Sequence, residues 1–186
     1  MQHSMGIPTV PKPIAFFDRD GTLIEDQCYH FDLSRLAWMP GAFEALRHLR
    51  AAGWRSVVVT NQSAVARGYS SEAEVERFNH EMVKEAAQTG AFIDVIEYCP
   101  YMAEAPVLRY RRHNHPDRKP NPGMILKHLP ADPKTRSRSF LIGDKRSDIR
   151  AVTAAGITGH LYTPGDDLMR SVRQAIAQVS AKSDDG

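Results

Sequence analysis

Apolar positions in this chain alternate between short solid runs and longer stretches with helical spacing. Residues 14–17, Ile-Ala-Phe-Phe, are apolar on both sides and read as a strand buried within a parallel sheet. Residues 40–50 read as a helix, with Pro40 at the start, Gly53 past the end and Phe43, Leu46, Leu49 and either Leu36 or Ala45 as the packing stripe. His48 falls on its polar side and reads as a solvated residue. Residues 55–60 form a second apolar strand, and the short link before it fits a right-handed crossover. Ser70 or Ser71 with Glu74 makes a capping box for a helix reaching about residue 89, with Val75, Phe78, Met82, Val83 and Ala86 inward. Beyond it the pattern predicts strands at 92–98, 139–142 and 158–162. Helices are predicted from Pro122 or Gly123 to 129, at 147–155 and at 166–179. Two stretches, 23–39 and 100–117, have no clean period, although the first is too apolar for a merely solvated loop. Strands alternate with helices, which makes the fold class α/β with a mostly parallel sheet.

Residues 1–13 carry three prolines and read as a loose arm, residues 14–180 as a single domain, and 181–186 as a disordered tail. At 186 residues the chain has room for one sizeable core. A net charge of +2 is too small for bulk attraction to nucleic acid or membrane. No apolar run approaches the roughly 18–20 residues that span a bilayer. The two cysteines, Cys28 and Cys99, fit a reducing compartment, and the expected location is cytoplasmic. Monomer or weak oligomer is the expected state.

The strand at 14–17 stops in Asp18-Arg19-Asp20-Gly21-Thr22. Side chains two apart on extended backbone project the same way, so Asp18 and Asp20 look into one space. Like charges that close need a cation or a shared proton. Gly21 permits a sharp turn, and the Thr22 hydroxyl is expected to hold it. Open α/β sheets bind ligands at the carboxyl ends of their strands, so this pair points to a metal-assisted site. An acidic turn is the competing reading of the motif alone.

Three further blocks accompany it: Val57-Val58-Val59-Thr60-Asn61-Gln62, then Arg118-Lys119-Pro120, then Phe140-Leu141-Ile142-Gly143-Asp144-Lys145 with Asp148 beyond. In this order, from about residue 14 to 162, the four resemble the haloacid dehalogenase (HAD) superfamily of aspartate-nucleophile phosphatases. The resemblance implies a three-layer, Rossmann-like parallel sheet with helices on both faces, a small β-flap within 23–39 and no large cap domain. It also implies Asp18 as nucleophile, Asp20 as acid and base, and Thr60 and Asn61 as donors to the phosphoryl group. Lys119 would be the fixed positive charge and Arg118 a holder of a second substrate group. The Asp18 carboxylate, the Asp20 carbonyl and Asp144 would bind Mg²⁺, which suits oxygen ligands beside a phosphate. Asp148 either joins this cluster or answers its helix dipole, and Lys145 screens the acidic charge.

Arg118-Lys119-Pro120-Asn121-Pro122-Gly123-Met124 and the Asn61-to-Gly68 run, with Arg67 as a further substrate-binding candidate, look most like the D,D-heptose 1,7-bisphosphate phosphatases. Histidinol-phosphate phosphatases are the close alternative. Both carry zinc in a cysteine-rich loop before Arg-Lys-Pro. Here Cys99 matches the first ligand, Tyr101 replaces a histidine, and His115 and Asp117 stand where the last two cysteines would be. A remnant Zn²⁺ site on Cys99, His115 and Asp117 is the lesser reading. The greater is a metal-free loop packed by Tyr101, Met102, Val107, Leu108 and Tyr110. The implied substrate is a small phosphorylated sugar. A nucleic-acid 3′-end phosphatase, with Arg109, Arg111, Arg112 and His113 as its footprint, is disfavoured because the cluster is short. An inactive scaffold is disfavoured because every catalytic position is intact.

Overall fold

The structure, a computed structural model, describes residues 11–184, with side chains to residue 181; most of the expected arm, and residues 185–186, lie outside it. Its strands are β1 (Ile14–Phe17), β2 (Arg55–Asn61), β3 (Val95–Cys99), β4 (Phe140–Gly143) and β5 (Thr158–Leu161). Its helices are α1 (Ala42–Ala51), α2 (Ser63–Arg67), α3 (Glu72–Gln88), α4 (Gly123–Leu126), α5 (Pro133–Ser137), α6 (Arg146–Ala154) and α7 (Leu168–Asp184).

The sheet runs β3-β2-β1-β4-β5 with every pair parallel, so the strand that is apolar on both faces takes the centre. Phe17 lies level with Val58 on one side and Ile142 on the other. The period of two then sorts the core. Ala15, Phe17, Val58, Phe140 and Ile142 pack with Leu46 and Leu49 of α1, Phe78 and Met82 of α3, and Val172 and Val179 of α7. Ile14, Phe16, Val57, Val59 and Leu141 pack on the opposite face with Met124 and Ile125 of α4 and Ala151 and Val152 of α6. This is the three-layer architecture. A smaller cluster of Val65, Ala66, Val75, Ala105 and Tyr110 roots the loop after β3.

Several boundaries differ from the sequence reading. Helices α2 and α5 are too short for periodicity to reveal. α5 starts at Asp132, whose carboxylate accepts the Thr135 N–H at 2.8 Å, with Pro133 at the first position, a start signal rather than the stop it resembled. α7 runs to Asp184, past Ser180 where a disordered tail was expected, because no glycine or proline interrupts it. Pro13, assigned to the arm, is buried, and its carbonyl accepts the Arg55 N–H at 3.0 Å. Residues 23–39 leave the sheet edge and return as a narrow flap: Ile24 bridges Trp38, and Glu25 N–H donates to the Ala37 carbonyl at 2.9 Å. Among the described residues no large cap is inserted, and no helix is long and apolar enough to cross a membrane.

Candidate active site

The parallel strands carry their chain ends to one edge. There Asp18 follows β1, Thr60 and Asn61 close β2, and Asp144 follows β4. The Asp18 N–H continues the β1–β4 ladder by donating to the Ile142 carbonyl at 3.0 Å, which fixes where its side chain emerges. Gly21 turns the chain with φ of +85°, and a Cβ there would lie 2.6 Å from Asp144 Oδ2, so only glycine admits the Asp144 carboxylate. The turn is held by backbone bonds, Gly21 N–H to the Ile24 carbonyl at 2.8 Å and Leu23 N–H to the Arg19 carbonyl at 3.0 Å. The Thr22 hydroxyl expected to hold it is buried without a hydrogen-bond partner among the described residues.

Lys119 is 4% exposed, and its ammonium has three partners: Asp18 Oδ1 at 2.9 Å, Asp148 Oδ1 at 2.6 Å and the Val59 carbonyl at 2.7 Å. These use all three of its donors. Burial works against its charge, but Asp18 and Asp148 outweigh that and hold the ammonium above its usual range. Burial likewise pushes Asp18 up, yet Lys119, Lys145 and the hydrogen bonds from Lys119 and Arg19 overcome it, and the carboxyl stays below its ordinary value. Asp18 is therefore an ionised carboxylate in a nearly dry site, with Oδ1 tied by the Arg19 N–H at 2.8 Å as well as by Lys119.

Asp148 resolves both of its readings at once. Its Oδ2 accepts the Lys145 N–H at 2.9 Å at the start of α6, while its Oδ1 pairs with Lys119. Carboxylate oxygens of Asp18, Asp144 and Asp148 all lie within 4.8 Å of one another. Asp144 Oδ1 is buried with no hydrogen-bond donor among the described residues. Burial, with Asp18 and Asp148 adding to it against Lys145, pushes the Asp144 carboxyl up to about 6. An all-oxygen cluster with an orphaned carboxylate atom fits a hard divalent cation. Lys145 screens this cluster: its Nζ lies 3.9 Å from Asp18 Oδ2, 3.7 Å from Asp144 Oδ2 and 3.8 Å from Asp26 Oδ2, and donates to the Asp20 carbonyl at 3.4 Å.

Asp20 is held differently. Arg19 Nε and Nη2 both reach its Oδ1 at 3.1 Å, and Gln62 Nε2 donates to its Oδ2 at 2.8 Å. Thr60 Oγ1 lies 3.5 Å from the same oxygen and accepts from Gln62 at 2.8 Å. Asn61 grips the backbone of Lys119. Its Nδ2 donates to the Lys119 carbonyl at 2.9 Å and its Oδ1 accepts the Lys119 N–H at 3.0 Å, a two-way clamp that seats Lys119.

A cleft of about 430 Å³ opens beside these groups, lined by Asp20, Asn61, Ser63, Arg118, Lys119 and Lys145 and by flap residues 26–31. Arg118 Nη1 is anchored on the Ser63 hydroxyl at 3.1 Å and the Tyr101 carbonyl at 2.7 Å. Arg67 does not line the cleft; its guanidinium lies over the Tyr29 ring, 5.5 Å from the centroid.

The remnant zinc ligands are not assembled. Cys99 Sγ is 3.9 Å from His115 Nδ1, but that nitrogen accepts the Asp117 N–H at 3.2 Å, and the Asp117 carboxylate is taken by Lys127 at 2.8 Å. Tyr101 stacks on His115 at 4.3 Å, and Tyr110 donates to Glu72 at 2.6 Å. Of the expected packing residues Leu108 departs, being 69% exposed. In the basic cluster, Arg111 Nε donates to the Ala105 carbonyl at 2.9 Å, and the Arg109 guanidinium lies 4.7 Å from the Tyr110 ring centroid.

Sequence reasoning missed Arg19, Gln62 and Asn79. Arg19 lay in plain view between the two aspartates, and its burial was the unread signal: an apolar strand end has little room for an unpaired guanidinium.

Comparison with known proteins agrees with this architecture. A family model described as HAD-hydrolase-like matches residues 117–181. The D-glycero-β-D-manno-heptose-1,7-bisphosphate 7-phosphatase of Rhodopseudomonas palustris is 41% identical over 169 residues, covering 90% of this chain and 92% of that one. The D-glycero-α-D-manno-heptose-1,7-bisphosphate 7-phosphatase of Burkholderia mallei is 38% identical over 88% of this chain and 86% of its own. Among solved structures, a HAD-like protein of Mesorhizobium loti superposes with a TM-score of 0.76 at 30% identity, covering 95% of this chain and 91% of that one. D,D-heptose 1,7-bisphosphate phosphatase of B. bronchiseptica, complexed with magnesium and phosphate, shares the fold with a TM-score of 0.69 at 24% identity, over 94% and 99%.

Proposed function

Because the chain belongs to the HAD-like phosphatases that include the heptose-1,7-bisphosphate 7-phosphatases, we propose that it removes the 7-phosphate of a D-glycero-D-manno-heptose 1,7-bisphosphate. That it is a phosphatase follows from the family. The sugar is carried over from the relatives, while the metal and the covalent intermediate are our reading, carried by one observation. An ionised, nearly dry Asp18 sits beside a fully engaged ammonium, with the oxygens of Asp144 and Asp148 in the same cluster.

The Asp18 carboxylate attacks phosphorus, the bond to the sugar oxygen breaks, and its electron pair leaves on that oxygen, which takes a proton from the Asp20 carboxyl. Water then attacks the aspartyl-phosphate and gives its proton back to Asp20. The P–O bond to Asp18 breaks, its electrons restore the carboxylate, and inorganic phosphate departs. Lys119 keeps a positive charge beside the incoming phosphate in a low-dielectric setting, where charge complementarity counts most. Asp18, Asp144 and the Asp20 carbonyl would hold Mg²⁺, which when bound neutralises phosphoryl charge. Arg118, anchored across the cleft, has a planar fork suited to the second phosphate of a bisphosphate. Two free thiols agree with a cytoplasmic enzyme.

The test is phosphate release from the heptose bisphosphate with Mg²⁺, after chelation, and in Asp18→Asn. Turnover should require the added metal and fall about 10³-fold or more in the variant, with the circular dichroism unchanged. Equal release from both proteins would remove Asp18 from the chemistry.

A further inference from the structure

Asp20 must give a proton and later take one back, so the position of its carboxyl relative to the leaving oxygen decides the rate of two steps. Gln62 Nε2 holds one of its oxygens at 2.8 Å, and the partner that reaches both is Arg19, whose side chain is 2% exposed yet ends on the cleft. Nε of the guanidinium reaches Oδ1 at 3.1 Å and Oδ2 at 3.2 Å, and Nη2 reaches Oδ1 at 3.1 Å, so one rigid fork grips both oxygens. The remaining nitrogen, Nη1, donates to Asn79 Oδ1 at 2.7 Å, and Asn79 is itself buried on α3. The guanidinium also lies 5.1 Å from the Phe78 ring centroid and 5.3 Å from that of Phe31, the first ring from α3 and the second from the flap. Arg19 therefore cannot shift without breaking a buried hydrogen bond and leaving two aromatic faces. Its counterpart Lys119 reaches Asp18 and Asp148, but no contact joins Arg19 to the Asp18 carboxylate except through its backbone N–H.

We infer that Arg19, braced by Asn79 on α3, is a positioning residue for Asp20 and acts on proton transfer rather than on substrate binding. The inference rests on the phosphatase reading above and deepens it. It separates two kinds of phosphate ester. A sugar alkoxide leaves only with a proton, so transfer from the heptose ester to Asp18 depends on where Asp20 is held. p-Nitrophenolate leaves without one, so transfer from p-nitrophenyl phosphate does not.

Rapid-mixing kinetics of the full chain with both esters, in wild type, Arg19→Lys, Arg19→Gln and Asn79→Ala, tests this. In Arg19→Gln the first step with the heptose ester should slow about 10²-fold, the usual worth of a positioned acid, while KM changes by no more than about threefold. The same protein should still release a stoichiometric burst of nitrophenolate followed by slow turnover, because only the second step then needs Asp20. Arg19→Lys, which keeps the charge without the fork, and Asn79→Ala, which does not touch the cleft, should show the same pattern more weakly. A proportional fall on both esters, or a loss in KM alone, would overturn the inference in favour of a structural or binding role. An Arg19→Gln that fails to fold leaves the lysine and asparagine variants to decide. Failure of the phosphatase reading would appear in the wild type itself, as no release from either ester, and would take this inference with it.

Discussion

At the level of single residues the site is a set of charges that stabilise one another only in combination. Asp144 illustrates the cost. Its folded value of about 6 stands above the ordinary 3.8, so its favourable contribution to folding is complete only below 3.8 and is lost as pH rises through 6. At neutral pH without metal, the ionised group opposes the fold. Asp144→Asn should therefore raise the metal-free melting temperature at pH 7 by about 2–4 °C, on the order of 1 kcal/mol after solvent screening, while abolishing the gain that Mg²⁺ gives the wild type. The advantage should vanish as pH falls through 6 towards 4, and calorimetry in chelator at the two ends of that range checks the sign. Asp18 and Asp144 were legible because charge at the tip of an apolar strand has few structural uses, and Lys119 through the Arg118-Lys119-Pro120 block. Asn61 was legible as a site residue but its hold on the Lys119 backbone was not, since a letter cannot tell which partners an amide finds. Gln62 and Asn79 gave no signal, for polar residues near a turn or within a helix are ordinary.

Elements follow the same division. The strands and long helices were readable because their periodicity is set by the core they bury, and the capping box of α3 was readable in its letters. Ser71 accepts the Glu74 N–H at 3.2 Å, while the Glu74 carboxylate accepts the Ser71 N–H at 2.7 Å. Ser71→Ala should cost about 1 kcal/mol, a drop of roughly 2–4 °C in melting temperature, with kcat unchanged, since Arg19 contacts α3 turns away from its first residue. A loss of activity without a loss of stability would mean that the cap, not the body of the helix, governs the site. What could not be read was the path of the aperiodic segments. The flap is organised by local bonds such as Ser34 N–H to Asp32 Oδ1 at 2.9 Å. The loop after β3 is organised by distant ones, as where Tyr110 donates to Glu72. Such tertiary partners leave no period in the chain.

For the whole molecule, the order β3-β2-β1-β4-β5 puts the first strand between partners that come from far apart in sequence. Ile14 N–H donates to the Ser139 hydroxyl at 3.0 Å, a contact spanning 125 residues, and β4 supplies one whole side of the central ladder. On the ribosome, then, the strand that leads to Asp18 emerges early but waits with one flank bare until most of the polypeptide has been made. A fragment ending at residue 138 should expose that flank, stay soluble only with chaperone help and sediment as aggregate, whereas the full chain, with β4 paired and α7 over Phe17, should resist protease. If the shorter fragment instead proved monomeric and protease-resistant, the remaining strands would suffice without β4. The acidic cluster of Asp18, Asp144 and Asp148 can therefore close only late in synthesis, once β4 has joined the sheet.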